Sequence, residues 1–534
     1  MSPLHQLNIG QLLTTPLANA PDQLVIHGEV SQPYRAVRGR IGRLGSLLAT
    51  LGVRMGDVVA VMDWDSHRYY ECFFAVPMLG AVLHTVNIRL SPEQILYTIN
   101  HAEDAVILCH ADFAPVLAAL LPRLARPAKL ILLQDAAGPP PEGIPWAGEY
   151  EALLAGADPG HSFQQFDETT RATLFYTTGT TGDPKGVTFT HRQLVLHTLS
   201  TAAACGTLPD GGGVHRADVY MPVTPLFHVH AWGMPYLATM LGLKQIYPGR
   251  YEPTRLLRLI ETHGVTFSHC VPTILNMLLT APDSDKVDLS GWKVIIGGAA
   301  LPAGLAEAAL ARGIRVRTGY GMSETCPVLS VSDTITGAGP DRRVYDVPAG
   351  RAIPLVELAL QSETMETVAH DGLITGEVVA RAPWLTEAYL NNPAGSEALW
   401  RDGWLHTGDI GTIDSTGTLR IGDRLKDVIK SGGEWLSSLE LENLASRVSG
   451  VAEVAAFGLP DVKWGERPVL ALVLAAGTVA DGVKAAVHAA ICAEIAAGRL
   501  PKWADPERIV IVESLCKTSV GKLDKKRMRV ELAG

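Results

Sequence analysis

Long apolar runs and closely spaced cysteines are both missing from this sequence of 534 residues. No stretch reaches the roughly 18 uninterrupted apolar residues of a membrane-spanning helix. The start, Met-Ser-Pro-Leu-His-Gln, lacks the basic segment and apolar stretch of a secretory signal. The 7 cysteines are scattered and never form Cys-x-x-Cys, which disfavours a disulfide framework and a zinc site. We therefore expect free thiols, a cytoplasmic location and no transmembrane segment.

Positive charge is also scarce, since the formal net charge is −10. A dedicated nucleic-acid binder needs clustered Lys and Arg to neutralise phosphates, so this class of protein is disfavoured. The basic stretch 522–529 is local, and any polyanion that binds there should be small. A hydrophobic content of 47%, with 52 Gly and 34 Pro, instead predicts a soluble globular protein with many loops.

Short apolar or β-branched runs alternate with segments rich in Ala and Leu. The runs are 58–62, 105–109, 129–133, 265–269, 294–296 and 314–317, and helices are expected at 253–263 and 302–312. Strands that alternate with helices favour an α/β fold with largely parallel sheets, in which ligands bind at the carboxyl ends of the strands. The length allows roughly three or four domain-sized units.

A charged segment divides the chain near residue 424. Residues 409–422 alternate like a hairpin, and four of the five residues 423–427 are charged, as expected of a linker. Beyond it, about 110 residues with a β/α pattern are enough for a small separate domain. We predict a large N-terminal domain of layered α/β sheets over residues 1–423 and a small mobile α+β domain over residues 424–534.

A loop rich in glycine and threonine, Thr-Thr-Gly-Thr-Thr-Gly-Asp-Pro-Lys-Gly at residues 177–186, follows the apolar run 172–176. Glycines allow amide groups to converge, threonine hydroxyls add donors and Lys185 adds a positive charge, which together suit a polyphosphate. The spacing is not that of a P-loop, because Pro184 replaces the second Gly and Gly186 replaces the magnesium-binding hydroxyl. From the loop alone, a solvated turn remains the alternative.

Five further motifs follow this loop in order. They are Gly-Gly-Ala-Ala-Leu-Pro at 297–302, Thr-Gly-Tyr-Gly-Met-Ser-Glu-Thr at 318–325, Trp-Leu-His-Thr-Gly-Asp at 404–409, the stretch 424–434, and Lys-Thr-Ser-Val-Gly-Lys at 517–522. In this order, the six motifs resemble those of the acyl-adenylate-forming enzymes, which include acyl-CoA synthetases, peptide-synthetase adenylation domains and beetle luciferases. Residues 226–233 and 430–435 look most like those of bacterial medium- and long-chain fatty acyl-CoA synthetases.

The resemblance implies a reaction in two steps. The carboxylate of a small-molecule acid attacks the α-phosphorus of ATP to give acyl-AMP and pyrophosphate, and the thiol of CoA then displaces AMP. The loop at 177–186 would embrace the β- and γ-phosphates. The implied nucleotide-binding residues are Thr177, Thr178, Gly179, Thr180, Thr181, Gly182, Lys185, Gly298, Ala299, Ala300, Thr318, Gly319, Tyr320, Gly321, Met322, Ser323, Thr325, Asp409 and Arg424.

Several roles within this set also come from the resemblance. Tyr320 would stack on adenine beside residues 298–300, and Thr325 would hydrogen-bond the α-phosphate. Asp409 would accept both ribose hydroxyl protons, and Arg424 would donate to the same sugar. Seen alone, such a tyrosine more often lies in a core, and such a charged pair more often caps a turn or lies on the surface.

The catalytic set implied by the resemblance is Lys522, Glu324 and His228. The Lys522 ammonium would bridge the reacting carboxylate and the α-phosphate as charge accumulates. Glu324, with Thr177, would hold the Mg²⁺ that bridges phosphate oxygens. The alternatives are a solvated basic tail for Lys522 and a capping or surface role for Glu324. The resemblance selects Lys522 rather than Lys517.

Residues 226–233 supply the acyl pocket in the related enzymes. His228 would line this pocket near the carboxylate, and Trp232 would be an aromatic gate, although an indole in an apolar segment is more often simply packed. His228 and His230 could share one face of a strand and bind zinc. That hypothesis is weak, because zinc needs three or four ligands and no further Cys or His lies nearby in the sequence.

The resemblance also places a hinge and a CoA site at the start of the smaller domain. Lys426 would be the pivot, with an ordinary surface lysine as the alternative. The residues implied in CoA binding are Ser431, Gly432, Gly433, Glu434 and Trp435. The required small molecules are therefore ATP, Mg²⁺ and CoA, and the protein could assemble as a homodimer.

The sequence leaves the acid open. Medium- or long-chain fatty acids are preferred, with methylthio-propionate or an aromatic acid as the alternative. A stand-alone adenylating enzyme or a luciferase-like oxygenase shares the motifs and is less favoured. A non-catalytic nucleotide sensor would be expected to have lost catalytic groups, whereas Lys522, Glu324 and Asp409 are all present.

Overall fold

The computed structural model describes residues 5–177, 183–208, 212–333, 335, 347–362, 364–431, 434–518 and 523–532, with only the backbone of Glu434 and Trp435. These residues form three β-sheets of seven, fourteen and five strands, with helices packed against them. Many strands are consecutive parallel neighbours joined by helices. The predicted α/β fold class is confirmed.

The seven-stranded sheet carries the start of the loop at 177–186. Six strands are parallel because helices or long connections join them, and the last strand turns back antiparallel after that loop. In spatial order, the strands are Trp146–Glu149, Lys129–Leu133, Val106–His110, Val58–Met62, Val82–Thr85, Arg171–Thr177 and Lys185–Thr190. Most of their β-branched and leucine side chains are buried, as expected for a sheet covered on both faces.

The fourteen-stranded sheet changes from parallel to antiparallel after Arg315–Gly321. This change brings several motif-bearing strand ends to one region. The strands in order are Glu357–Gln361, Gly376–Arg381, Trp404–Ile413, Thr418–Arg424, Gly350–Ala352, Val328–Val331, Arg315–Gly321, Lys293–Ile296, Phe267–Cys270, Val219–Tyr220, Lys244–Ile246, Leu24–His27 and Val30–Pro33, with Trp400–Arg401 beside Trp404–Ile413.

One large apolar core joins both of these sheets through several helices. Helix His67–Met78 begins after Ser66, whose hydroxyl accepts a hydrogen bond from the Tyr69 amide, and Thr190 caps helix His191–Gly206 in the same way. The other longer helices of this part are Tyr34–Thr50, Pro92–Ala102, Ala114–Leu120, Met234–Leu241, Pro253–His263, Pro272–Leu279, Ala303–Ala311 and Pro393–Leu399. None of the described helices combines the length and apolar character needed to cross a bilayer.

The third sheet lies after the charged segment. Its strands are Glu434–Leu436, Ile429–Ser431, Gly465–Leu474, Val451–Asp461 and Arg508–Ile511, and its helices are Ser438–Ser446, Ala480–Ala496 and Lys525–Glu531. This sheet has its own apolar core. Strand Thr418–Arg424 still belongs to the fourteen-stranded sheet, so the chain passes from one sheet to the other within residues 425–428.

Candidate active site

A cleft of about 2200 Å³ lies between two parts of the molecule. One side is formed by strand ends of the two larger sheets, and the other by the C-terminal sheet and its helices. Its lining includes Thr177, Gly298, Glu324 and Asp409 from the first part of the chain and Lys517 from the last part. The volume exceeds that of a pocket for one drug-sized ligand, which is at most about 1000 Å³. The cleft therefore has room for several substrate groups at once.

Two of the predicted nucleotide-binding motifs meet because their strands are neighbours. Ile296 pairs with Thr318 in parallel register, so the turn at 297–300 lies beside the motif that begins at Thr318. Gly298 has a φ of +77°, which only glycine adopts without strain. A side chain at Gly297 would approach the carbonyl oxygen of Gly319 to 2.7 Å. Both glycines are therefore needed for this close packing.

Tyr320, Asp409 and Arg424 form a cluster at the cleft. The Tyr320 hydroxyl donates a hydrogen bond to Asp409 Oδ2 at 2.8 Å, and Arg424 Nε lies 3.3 Å from Oδ1 of the same carboxylate. Burial and the Asp409 charge raise the pKa of Tyr320 well above its usual value, so its hydroxyl stays protonated. Antiparallel pairing of Asp409 with Arg424 explains how residues 15 positions apart reach one site. An aromatic ring, a carboxylate and a guanidinium together suit a nucleoside.

Glu324 lies in the short 3-10 turn Ser323–Thr325, and its side chain is buried. Its Oε1 accepts a hydrogen bond of 2.6 Å from the hydroxyl of Tyr389, which orients the carboxylate. The oxygen atoms of this carboxylate are suitable ligands for a hard divalent cation such as Mg²⁺. The Thr325 hydroxyl donates to backbone carbonyls, including that of Met322 at 3.0 Å. The predicted contact of Thr325 with an α-phosphate stays a prediction.

The loop at 177–186 is held at both ends by antiparallel pairing of Thr177 with Lys185. Thr177 lines the cleft, and the Lys185 ammonium lies 4.7 Å from the centroid of the Tyr389 ring, within range of a cation–π interaction. The predicted phosphate ligands Thr178, Gly179, Thr180, Thr181 and Gly182 lie outside the described residues.

The segment after His228 differs from the sequence-based hypothesis. Residues 229–233 all have φ between +47° and +71°, so they form a left-handed helical turn rather than a strand. Each non-glycine residue in this conformation costs about 1–2 kcal/mol. His228 lines the cleft, whereas His230 is fully buried. The zinc hypothesis assumed that His228 and His230 lie at alternate positions of a strand, and that assumption is therefore wrong.

His230 is enclosed by aromatic rings. Its ring centroid lies 5.1 Å from that of Phe175 and 6.2 Å from that of Phe73. Burial lowers its pKa to about 3, so the imidazole is neutral. Neither ring nitrogen has a hydrogen-bond partner among the described residues. The resemblance assigned a pocket role to His228 alone, and of these two histidines His228 is the one that lines the cleft.

Trp232 is packed beside the turn at 297–300. Its indole is buried and lies 5.1 Å from the His269 ring, centroid to centroid. The tip of the indole lies against Gly297, where an added Cβ would be 3.1 Å from Cη2. Trp232 thus packs directly against the turn predicted to bind adenine. Packing and gating are both compatible with this position.

The C-terminal part contributes fewer of the predicted residues. Lys522, Gly432 and Gly433 lie outside the described residues, and Ser431 is buried on strand Ile429–Ser431. The backbone of Glu434 and Trp435 forms the neighbouring strand. Lys517 lines the cleft and forms an ion pair with Glu453 at 2.7 Å. The choice of Lys522 as the catalytic lysine stays a prediction.

Lys426 lies between the two sheets that meet at the cleft. It lines the cleft, and burial together with the nearby Arg424 lowers the pKa of its ammonium. The adjacent Asp427 is 3.3 Å from the Arg529 guanidinium of the last described helix. The position of Lys426 suits a pivot, and its role as a hinge stays a prediction.

Tyr389 is the main residue that the sequence analysis missed. It touches both Glu324 and Lys185, and the amide of the following Leu390 donates to the Gly186 carbonyl at 2.8 Å. The chain contains 13 tyrosines. The segment Tyr-Leu-Asn-Asn-Pro that follows strand Gly376–Arg381 gave no signal that this tyrosine reaches the cleft.

Comparison with known proteins gives matches along most of the chain. Residues 14–390 match the family described as AMP-binding enzyme, and residues 440–522 match the AMP-binding enzyme C-terminal domain. The chain is 39% identical over 510 residues to a long-chain-fatty-acid–CoA ligase of Thermus thermophilus, with 94% of this chain and 90% of that protein covered.

One further relative and one solved structure extend the comparison. The chain is 37% identical to a 3-methylmercaptopropionyl-CoA ligase of Ruegeria pomeroyi, covering 91% of this chain and 89% of the relative. The crystal structure of the anthranilate CoA ligase AuaEII with anthranoyl-AMP has a TM-score of 0.87 at 22% identity, covering 99% of this chain and 98% of the other, which shows the shared fold. The chain therefore belongs to the AMP-binding enzyme family.

Proposed function

We propose that the protein converts medium- or long-chain fatty acids into acyl-CoA thioesters through an acyl-AMP intermediate at this cleft. The reaction class, an AMP-forming acid–CoA ligase that uses ATP and CoA, is confirmed by the family and by the relatives. One observation carries the assignment of the cleft. The buried carboxylate of Asp409 joins the Tyr320 hydroxyl and the Arg424 guanidinium beside the turn at 297–300.

In the first step, the nucleoside of ATP binds to this cluster. Tyr320 stacks on adenine, and Asp409 exchanges its present partners for the two ribose hydroxyls, with Arg424 donating to the same sugar. A carboxylate can accept both hydroxyl protons, which makes Asp409 the strongest anchor of the nucleoside. The loop at 177–186 contacts the β- and γ-phosphates, and Lys185 offsets their charge.

A divalent cation belongs to the same proposal. Glu324 and Thr177 would hold Mg²⁺, and Tyr389 keeps the Glu324 carboxylate oriented through its 2.6 Å hydrogen bond. When bound, the cation neutralises phosphate charge during displacement. Lys522 adds a positive charge at the reacting carboxylate and α-phosphate, where preorganised electrostatic stabilisation is most effective.

The second step requires movement of the C-terminal part. We assign the domains as 1–423 and 424–534, with Lys426 as the pivot, because the chain passes between the two sheets within residues 425–428. Rotation there withdraws Lys522 and brings residues 431–435 to the cleft for CoA. Such a step commonly limits the turnover of enzymes with mobile domains.

The acyl group lies on the side of the cleft that His228 lines, and the buried Trp232 follows His228 by four residues. The similarity to the Thermus thermophilus protein supports a fatty acid, and the mostly apolar surroundings of Trp232 agree with it. The Ruegeria pomeroyi relative supports a short thioether acid as the second candidate. We also propose that the protein is cytoplasmic and forms a homodimer.

A pyrophosphate-release screen tests the substrate. Straight-chain acids of increasing length, 3-(methylthio)propionate and aromatic acids are compared by kcat/KM with ATP, Mg²⁺ and CoA, and thioester formation is measured in parallel. We expect the highest kcat/KM for a medium- or long-chain acid. A maximum at the thioether or an aromatic acid would replace the proposed substrate class and leave the reaction class unchanged. Light emission from acyl-AMP and O₂ would instead indicate an oxygenase.

The Asp409→Asn variant tests the site. A hydrogen bond to a charged group contributes about 1.5–3 kcal/mol, so kcat/KM for ATP should fall roughly 10- to 150-fold for every acid. An unchanged value would remove Asp409 from the nucleoside site. Because the loss should not depend on the acid, this result is separable from the outcome of the substrate screen.

A further inference from the structure

Three potential metal ligands lie together on the C-terminal part, among residues that do not line the cleft. Helix Ala480–Ala496 buries Val483, Val487 and Ile491 against the small sheet. His488 and Cys492 each follow a residue of this buried stripe by one position. They are four residues apart, so their side chains project from one side of the helix, one turn apart.

The third ligand comes from the segment after the 3-10 turn Lys502–Ala504. Asp505 Oδ1 lies 2.9 Å from His488 Nε2, and Cys492 Sγ lies 3.7 Å from the same nitrogen. One ligand atom from each of the three residues lies within 4.8 Å of the other two. The three ligand atoms thus lie within one small volume at the edge of the helix, and Cys492 Sγ is also 3.8 Å from His488 Nδ1, so the imidazole rotates when it binds a metal through Nε2.

The two separations from His488 Nε2 are close to those of a tetrahedral metal centre. Bond lengths of about 2.3 Å to sulfur and 2.0–2.1 Å to nitrogen and oxygen place sulfur and nitrogen roughly 3.5 Å apart, and nitrogen and oxygen roughly 3.4 Å apart. Cys492 and His488 already meet the first distance. Asp505 needs to move from His488 by about half an ångström. The ligand atoms of Asp505 and Cys492 lie within 4.8 Å of each other, against the roughly 3.5 Å of oxygen and sulfur on one metal.

We propose that His488, Cys492 and Asp505 bind a divalent cation of the zinc class, with water as the fourth ligand. A thiolate, an imidazole and a carboxylate are ligands for zinc or a similar transition metal, whereas magnesium and calcium prefer oxygen alone. This cation is separate from the Mg²⁺ assigned to Glu324. When bound, it ties the helix Ala480–Ala496 to the segment that follows residue 504.

The surrounding residues support a fixed position for Asp505. Arg467 Nη2 donates a hydrogen bond of 2.9 Å to the Asp505 carbonyl oxygen, and its Nε lies 3.4 Å from the Glu507 carboxylate. The Glu507 amide also donates to the Pro468 carbonyl at 2.8 Å. The backbone that presents Asp505 is therefore anchored to strand Gly465–Leu474, as expected of an outer shell that orients metal ligands.

Cobalt(II) provides a direct test with the full-length protein. Titration should give a saturable absorption with one equivalent of cobalt, including a thiolate-to-cobalt charge-transfer band, and zinc should displace it. Cys492→Ser should abolish that band, and His488→Ala and Asp505→Ala should each weaken cobalt binding by at least about tenfold. The matched control Cys516→Ser should retain the full band. Circular dichroism of the metal-free variants checks that they are folded.

Thiol labelling provides a second test that needs no variant. Cys492 and Cys516 are the two half-buried cysteines, and the other five are buried. Zinc should slow alkylation of Cys492 by iodoacetamide and leave the rate at Cys516 unchanged, as measured by peptide mass spectrometry. Equal alkylation of Cys492 with and without zinc, or a cobalt band that survives in Cys492→Ser, would reduce the cluster to an ordinary His–Asp ion pair beside a thiol and overturn the proposal.

Discussion

The hydroxyl of Tyr389 donates a hydrogen bond of 2.6 Å to Glu324, while the face of the same ring lies 4.7 Å from the ammonium of Lys185. One buried side chain therefore contacts both the proposed Mg²⁺ ligand and the cation at the end of the phosphate loop. The Glu324 charge and burial raise the pKa of Tyr389, so the hydroxyl remains a donor at neutral pH. Tyr389 is thus a positioning residue for the adenylation step.

Tyr389→Phe separates these two contacts, because it removes the hydroxyl and keeps the ring beside Lys185. Loss of a hydrogen bond to a charged group should lower kcat/KM for MgATP roughly 10- to 150-fold. The concentration of Mg²⁺ that gives half-maximal pyrophosphate release should rise as well. Thermal unfolding is measured in parallel, to separate loss of orientation from loss of stability.

A matched control for this substitution is Tyr150→Phe. The Tyr150 hydroxyl also donates a 2.6 Å hydrogen bond to a buried glutamate, Glu71, away from the cleft. This variant should lower the melting temperature and leave the Mg²⁺ dependence unchanged. If Tyr389→Phe behaves in the same way, Tyr389 only supports the fold.

The sequence predicted the regular elements well where hydrophobic periodicity and capping agree. Helix 253–263 is found at those bounds, with Pro253 at its start and Gly264, in the left-handed conformation, after its end. Strand ends were less well predicted. The run 314–317 extends to strand Arg315–Gly321, because pairing with Val328–Val331 continues beyond the apolar residues.

The prediction of the site rests on motifs, and the features that it missed have physical causes. The contacts Tyr320–Asp409 and Asp409–Arg424 follow from strand pairing, which ordered motifs can indicate. Tyr389 was missed because its role depends on tertiary packing across 65 residues. The left-handed turn at 229–233 was not predictable from residue preferences, because Val229 and Trp232 rarely adopt positive φ.

Lys522→Ala should abolish acyl-AMP formation and largely spare thioester formation from supplied acyl-AMP. The reason is that this lysine faces the reacting groups only in the adenylation conformation. Pyrophosphate release and CoA consumption report the two half-reactions separately. Lys517→Ala is the neighbouring control, and its smaller effect is expected because Glu453 already neutralises Lys517. Equal loss of both half-reactions in Lys522→Ala would contradict the domain movement.

Lys426→Pro should impair one half-reaction far more than the other. Proline fixes φ near −65°, so rotation between the two sheets is restricted and the conformation reached by rotation is disfavoured. Lys426→Ala serves as the control, since it removes the ammonium and leaves the backbone free. Single-turnover rates of adenylation and thioester formation are compared in both variants. If the two substitutions give the same pair of rates, charge rather than rotation matters at this position.

Trp232→Ala distinguishes a gate from a core residue. The indole packs against Gly297 of the proposed adenine-binding turn and is joined through a left-handed turn to His228. A gate that responds to ATP would need both this contact with the adenine-binding turn and this connection to the acyl pocket. Its removal should leave bound acid less well positioned, and a misplaced carboxylate can cost about a hundredfold in rate. The loss should increase with the chain length of the acid, because longer chains make more contacts with the wall of the acyl pocket.

Removal of a packed indole predicts a different result. It should lower the free energy of unfolding by about 3–5 kcal/mol and depress activity on every acid alike. Trp384→Ala is the matched control, because Trp384 is fully buried beside His197, with ring centroids 5.7 Å apart. Should either alanine variant fail to fold, the two phenylalanine variants give the same comparison. The Trp232 variant could instead lose activity uniformly, in proportion to its lowered melting temperature, as the Trp384 variant should. That result would eliminate the gate, since only a residue in contact with the acyl chain can make the loss depend on chain length.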